Sequence, residues 1–158
     1  CSSDLPYLYA MLADILAAFR APAPHRLTND DARLALTALL VRVARADHDY
    51  AEAERDMILR LLMERYGLSE DAATALRAEA EDLESQAPDT VRFTRVVKET
   101  VPYEHRETVI EALWSVVLAD NRRDHDEDGF MRLVVSLLGV NDRDSGLARQ
   151  RVQARLSK

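Results

Sequence analysis

The chain has 158 residues, with 28 acidic and 21 basic side chains and a formal net charge of −7. This length suits one domain with a single hydrophobic core. Few turn residues (4 glycines and 5 prolines) and a helix-forming composition argue against a β-sandwich or β-barrel. The acidity argues against nucleic acid as a partner, because phosphate binding needs a clustered basic surface. A single cysteine excludes a disulfide framework and a cysteine-based zinc site.

The N-terminal part of the chain is predicted to lie outside the main domain. Residues 1–10 are interpreted as a non-native or disordered leader, and residues 11–27 as an N-terminal helix and linker. Apolar residues recur at helical spacing up to Phe19, and Pro22 then breaks the pattern. We expect this helix to dock onto the domain, because its polar face lacks the basic residues of a membrane-surface helix. No secretory signal or membrane span is expected, which predicts a cytoplasmic location.

Residues 28–158 are predicted to form a single all-α domain, so that the chain is a bundle of about eight helices. Apolar residues recur every three to four positions in each segment, as on the buried face of a helix. Gly67 and Gly139 are expected to end helices, and Ser69 and Asn141 to cap the helices that follow. The helices predicted after the linker cover about 28–46, 52–66, 69–84, 91–98, 102–119, 126–138 and 141–156.

An internal repeat relates the two halves of this domain. Leu40–Asp47 aligns with Leu113–Asp120 at an offset of 73 residues. Each copy is an apolar helix ending in Ala-Asp, a polar turn, a glutamate, and an apolar helix ending in glycine. This pattern predicts two helical hairpins related by a pseudo-twofold axis. The predicted halves are about 28–87 and 88–158.

The repeat contains two acidic segments, here called the first acidic turn (Asp47–Glu54) and the second acidic turn (Asp120–Glu127). Their carboxylates have a purely structural interpretation, because Asp starts turns and Glu accepts free N–H groups at a helix N-terminus. Alternatively, the two turns face each other and form a docking surface or a site for calcium or magnesium, which prefer oxygen ligands. The candidate metal-binding residues are Asp47, Asp49, Glu54, Asp120, Asp124 and Glu127.

The second acidic turn also contains Asp-x-Asp-x-Asp-Gly, the first half of an EF-hand loop, at Asp124–Gly129. An EF-hand needs a bidentate Glu at the twelfth position of the loop, which is Val135 in this chain. An EF-hand is therefore not expected. No catalytic residue is predicted, because the sequence contains neither a nucleophile elbow nor a phosphate-binding loop.

These motifs resemble those of a known family. Ala46-Asp47 with Glu54, and Ala119-Asp120 with Glu127, resemble the paired Ala-Asp-Gly-…-Glu motifs of TerB-like tellurite-resistance proteins. Further similar segments occur in the family's order, so that the resemblance covers about residues 11–152. These segments are Asp30–Ala35, Arg92–Thr94, Leu113–Asp120 and Leu137–Val140.

The resemblance implies an all-α bundle with an acidic, cation-binding surface, a link to tellurite resistance or a wider stress response, and no enzymatic reaction. The chain departs from the family motif after each aspartate, where glycine is replaced by His48 and Asn121. Asn and His are enriched among non-glycine residues that adopt left-handed conformations, so we expect the turns to form. His48 would add a nitrogen ligand and shift the preference towards zinc.

The sequence is therefore compatible with three functions. The first is a non-enzymatic module whose acidic turns bind a divalent cation or a protein partner. The second is a metal-dependent enzyme that uses the same carboxylates, and the third is a metal-independent, co-chaperone-like scaffold. Peripheral membrane contact stays open because the last ten residues carry four basic side chains and no acid, although these charges also suit a helix C-terminus. They are Arg149, Arg151, Arg155 and Lys158.

Overall fold

The fold is all-α, as predicted. The computed structural model describes residues 11–13, 15, 29–46, 50–86, 90–119 and 125–157, with 125–128 as backbone only. From residue 29 onward this part of the chain contains seven α-helices and one short 3-10 helix, residues 11–13 and 15 are also helical, and no described residue lies in a β-strand. In chain order they are α1 (Asn29–Arg45), α2 (Glu52–Tyr66), α3 (Glu70–Gln86), α4 (Val91–Thr100), the 3-10 helix (Tyr103–His105), α5 (Arg106–Val117), α6 (His125–Leu137) and α7 (Asp142–Leu156).

The centre of the bundle is α1, which contacts α2, α3, α4, α5 and α6. Its side chains from Leu34 to Val41 are all buried, including Thr37, whose hydroxyl donates to the Arg33 carbonyl at 2.6 Å. A helix that is apolar on nearly all sides must be covered on all sides. The second central helix, α5, packs against α1, α2 and α7. The two helices that precede the acidic turns are therefore the most enclosed elements of the bundle.

Local hydrogen bonds and glycines define several helix ends, as the sequence predicts. The Ser69 hydroxyl accepts the amide three residues further on at 3.2 Å, and the Asn141 side chain does the same at 2.8 Å. Gly67 has φ 63° and Gly139 has φ 75°, both in the left-handed region that favours glycine at the end of a helix. These four residues fix the ends of α2 and α6 and the starts of α3 and α7.

The helix predicted over 102–119 begins later, at Arg106. Pro102 is extended (φ −57°, ψ 151°), and a single 3-10 turn separates it from α5. The Arg106 side chain explains why the helix starts there, because its guanidinium donates to the carbonyls of Lys98 at 3.1 Å and Leu138 at 3.4 Å. One side chain therefore satisfies carbonyl groups near the C-terminal ends of both α4 and α6.

The described part of the N-terminal helix packs into the core. Residues 11–13 and 15 are helical, with Leu12 8% exposed and Ile15 1% exposed. Both belong to the main hydrophobic cluster. For these residues, the predicted docking of the helix onto the bundle is confirmed. The domain boundaries at residues 10 and 27 stay predictions.

The ends of α1 and α5 each contain the same type of backbone hydrogen bond, at equivalent positions of the sequence repeat. The Ala46 amide donates to the Val43 carbonyl at 3.2 Å, and the Ala119 amide donates to the Val116 carbonyl at the same distance. The left-handed glycines also correspond between the two halves. These local features match the repeat in sequence, whereas the pseudo-twofold axis stays a prediction.

Candidate functional site

Of the six candidate metal ligands, Glu54 alone has a described side chain. Glu127 lies on α6 and is described as backbone only. In the part of the chain that the structure describes, no three His, Cys, Asp or Glu side chains are grouped so that they could hold a metal ion. The shared cation site stays a prediction, because four of its residues lie outside the described residues. They are Asp47, Asp49, Asp120 and Asp124.

Glu54 is part of the helix start that follows the first acidic turn. Its Oε1 accepts the Ala51 amide at 3.3 Å, while the Glu54 amide donates to the Ala51 carbonyl at 3.1 Å. The side chain reaches back over the first turn of α2, as glutamate does in a capping box. Glu54 is 1% exposed, although it is ionisable and near a helix end. The predicted capping role of this glutamate is therefore confirmed.

A buried ion-pair cluster holds the end of α1 immediately before the first acidic turn. Glu84 of α3 accepts from Arg42 Nε at 3.1 Å and from Arg45 Nη1 at 2.6 Å. Arg42 also donates to the Glu84 backbone carbonyl at 2.9 Å and lies over the Phe93 ring at 5.1 Å. Because both arginines lie in the last turn of α1, this cluster ties the end of α1 to α3.

Two arginines contact Tyr50, the first described residue of the first acidic turn. The Tyr50 ring lies between the guanidinium groups of Arg45 at 5.1 Å and Arg55 at 5.5 Å. Burial, and secondly the nearby Glu81 carboxylate, raise the pKa of the Tyr50 phenol. Arg77 is also close by, where it donates to the Arg55 carbonyl at 3.1 Å and pairs with Glu81 at 3.8 Å. Tyr50 is therefore surrounded by arginines and carboxylates of α1, α2 and α3.

Sequence reasoning missed this cluster and the basic surroundings of Tyr50. One sequence feature points to the cluster: Arg42 and Arg45 lie three residues apart, on one helix face. Glu84, however, lies about 40 residues further along an acidic helix with several other carboxylates. Only the packing of α1 against α3 selects it as the partner.

The helix before the second acidic turn is held by Trp114. This side chain is 7% exposed, and its Nε1 donates to the Ser145 hydroxyl of α7 at 3.0 Å. The Arg149 guanidinium covers the ring at 4.9 Å. Trp114 is therefore part of the core, as expected for a large apolar side chain on the repeat helix. Helix α1 is thus held near its end by a buried ion pair, and α5 by a buried aromatic contact.

The described basic residues near the C-terminus face α5. Arg151 contacts Glu107 at 3.3 Å, and Arg155 contacts Glu111 at 2.9 Å. With Arg149 stacked on Trp114, these three basic side chains have partners within the bundle. None of the described helices is long and apolar enough to cross a membrane.

The EF-hand-like sequence does not form an EF-hand loop. Helix α6 begins at His125, the second residue of the motif, and continues through Gly129 to Leu137. Val135, at the position where an EF-hand needs glutamate, is 1% exposed in the core. The expectation from the sequence is confirmed.

Comparison with known families decides the classification. The sequence matches the family described as Tellurite resistance protein TerB over residues 33–150, about three quarters of the chain. The chain belongs to the TerB family. In this TerB chain the match extends from α1 to α7 and includes both acidic turns. Searches among curated proteins and among solved structures returned no match.

Proposed function

We propose that this TerB-family chain is a non-enzymatic helical module of tellurite resistance or a wider stress response, and that its two acidic turns together bind one divalent cation. One observation carries the proposal. The helices that lead into Asp47 and Asp120 end with the same alanine hydrogen bond at 3.2 Å, at equivalent positions of the repeat. Asp47 and Asp120 each follow this alanine directly in the sequence, which supports a pair of ligands from related turns.

The chemistry of the donor set fits a hard cation. Four aspartates and Glu127 offer carboxylate oxygens, the ligands that calcium and magnesium prefer. Glu54 fits a positioning role better than a ligand role, because its Oε1 is hydrogen-bonded to the Ala51 amide and the residue is 1% exposed. In this proposal, Glu54 fixes the end of the first turn, and the aspartates contact the cation.

The arginines near Tyr50 affect how strongly a cation would bind. Arg45 and Arg55 flank the ring, and their positive charges oppose the approach of a cation. Glu84 offsets the charge of Arg45 through its 2.6 Å contact. We therefore expect the affinity to depend on Glu84 as well as on the aspartates, although Glu84 is not proposed as a ligand.

The direct test is calorimetric titration of the full chain with calcium, magnesium and zinc. We expect one cation per chain, and a similar loss of affinity in Asp47→Asn and in Asp120→Asn. Asp82→Asn is the matched control, because Asp82 is an exposed acid on α3. A cation at a hundred times its dissociation constant stabilises the fold by about 2.7 kcal/mol. The absence of both heat and a thermal shift with all three cations would refute the proposal.

The same titration separates the other candidates. If zinc binds but calcium and magnesium do not, and zinc binding is lost in His48→Ala, the site contains both nitrogen and oxygen ligands instead of oxygen ligands alone. A protein partner that binds equally well in the presence of a chelator, but not after Asp47→Ala with Asp120→Ala, would favour the metal-independent scaffold. Metal-dependent turnover would favour the enzyme. A cytoplasmic location and a protein partner stay predictions.

A further inference from the structure

A groove of about 540 Å³ lies between α2 and α5, on α1, with the end of α7 at its border. The floor is apolar, with Leu36 and Leu40 of α1 and Leu62 of α2 each 1% exposed. Neither acidic turn contributes a described residue to its lining. The groove is therefore a feature separate from the proposed cation site.

The groove results from small side chains on α5. Thr108, Ala112 and Ser115 line it at successive turns of that helix, where larger residues would fill the space towards α2. Leu61 on α2 also lines it and is partly exposed. Leu156 of α7 lines it too and is 46% exposed, so Leu61 and Leu156, rather than the floor, expose hydrocarbon surface that a bound molecule would cover.

Charge at the border of the groove favours an anion. Arg60 and Arg65 line it from α2, and neither has a carboxylate within 4.0 Å among the described residues. Arg65 Nη1 donates to the Thr108 hydroxyl at 3.0 Å. Two acidic residues line the groove, and Glu111 is paired with Arg155. Glu64 is then the one remaining negative charge among the described residues of the lining, beside the guanidinium groups of Arg60 and Arg65. The unpaired charges therefore sum to a positive value, although the whole chain is acidic.

The volume selects the class of ligand. Small-molecule pockets range from about 300 to 1,000 Å³, and the groove lies within this range. An apolar floor with guanidinium groups at its border fits an extended hydrocarbon chain that ends in an anion. We infer that the groove binds one free long-chain carboxylate, with its chain against Leu61 and Leu156 above the apolar floor and its head at Arg60 and Arg65.

The test uses dodecanoate below the concentration at which it forms micelles, with the full chain, by calorimetry and methyl NMR. We expect saturable binding of one molecule, with shifts confined to the methyl groups of the groove. Dodecyltrimethylammonium has the same chain and a positive head, and should bind at least about tenfold more weakly. Lengthening the carboxylate should raise its affinity by up to about fourfold for each added CH₂ group.

Two variants localise the binding. Arg60→Gln with Arg65→Gln should weaken dodecanoate about tenfold, whereas Arg132→Gln, an exposed arginine on α6, should leave it unchanged. Ala112→Leu fills the groove and should abolish binding. If circular dichroism shows that this variant does not fold, the arginine variants still decide the question. Non-saturable binding, equal affinity for the two head groups, or equal effects of the arginine variants and their control would overturn the inference.

Discussion

Replacing Glu84 tests the ion-pair cluster that holds the end of α1. The Arg42 and Glu84 side chains are 14% and 11% exposed, so their 3.1 Å contact is largely shielded from water. Removing one partner of a buried pair costs about 3–5 kcal/mol, because the other charge stays buried without compensation. Arg45 is 36% exposed, and its pair therefore counts only as a surface pair of about 0.2–1 kcal/mol.

Glu84→Gln removes the charge but keeps an oxygen that can accept a hydrogen bond. We therefore expect the free energy of unfolding to fall by about 2–3 kcal/mol, at or just below the lower limit for a buried pair. For a domain of this size, that loss corresponds to a fall of about 4–12 °C in the midpoint of thermal unfolding. Urea denaturation followed by circular dichroism measures it, with Asp82→Asn on the same helix as the control.

A Glu84→Gln variant whose unfolding free energy stays within about 0.5 kcal/mol of the parent, like an ordinary surface substitution, would refute this reasoning. High salt provides a second check. Salt screens buried charges weakly, so the difference between variant and parent should persist in concentrated salt. A difference that vanishes there would mean that the pair behaves as an exposed one.

Three further predictions concern stability. Gly139→Ala places a side chain at φ 75° and should lower the free energy of unfolding by about 1 kcal/mol. Gly146 lies on α7 with open space around it, so Gly146→Ala should raise the free energy of unfolding by about 0.5–1 kcal/mol. Urea denaturation measures both changes. Burial, and secondly Asp30, raise the pKa of Glu79 above 4.5 in the folded protein, which favours the protonated form of this side chain. The contribution of Glu79 to the free energy of unfolding is therefore lost as the pH rises through its pKa in the folded state. Glu79→Gln should therefore raise the unfolding temperature at pH 7, and a gain that persists below about pH 4.5 would contradict this. Trp114→Phe leaves the buried Ser145 hydroxyl without its 3.0 Å donor and should cost about 1–2 kcal/mol, and no loss in thermal unfolding would contradict the assigned contact.

Sequence reasoning predicted those parts of the fold that depend on local patterns. Helical spacing of apolar residues placed the core of α1, and Leu34, Leu36 and Leu39 are indeed almost fully buried. Caps and stops such as Asn141 and Gly67 depend on neighbours within a few residues, so their roles follow from residue type. The same holds for Glu54, whose hydrogen-bond partner lies three residues before it.

Contacts between distant segments could not be predicted in this way. Arg106 is the first residue of α5, and its guanidinium donates to three carbonyl groups of other segments. No local sequence pattern predicts these contacts. The pairing of Arg42 with Glu84 requires α1 and α3 to lie side by side. The sequence left open whether the basic residues of α7 suit a helix C-terminus or an external contact, whereas Arg155 contacts Glu111 of α5 in the fold. In each case, the partner is chosen by packing rather than by spacing.

The central claim is that the two acidic turns lie close enough to share one cation. Spin labels at His48→Cys and Asn121→Cys, in a chain carrying Cys1→Ser, would report their separation by electron paramagnetic resonance. Helix α1 has 17 residues and is therefore about 25 Å long, so turns at opposite ends of the bundle would be at least that far apart. We predict a separation clearly shorter than this length, and one of about 25 Å or more would contradict a shared site.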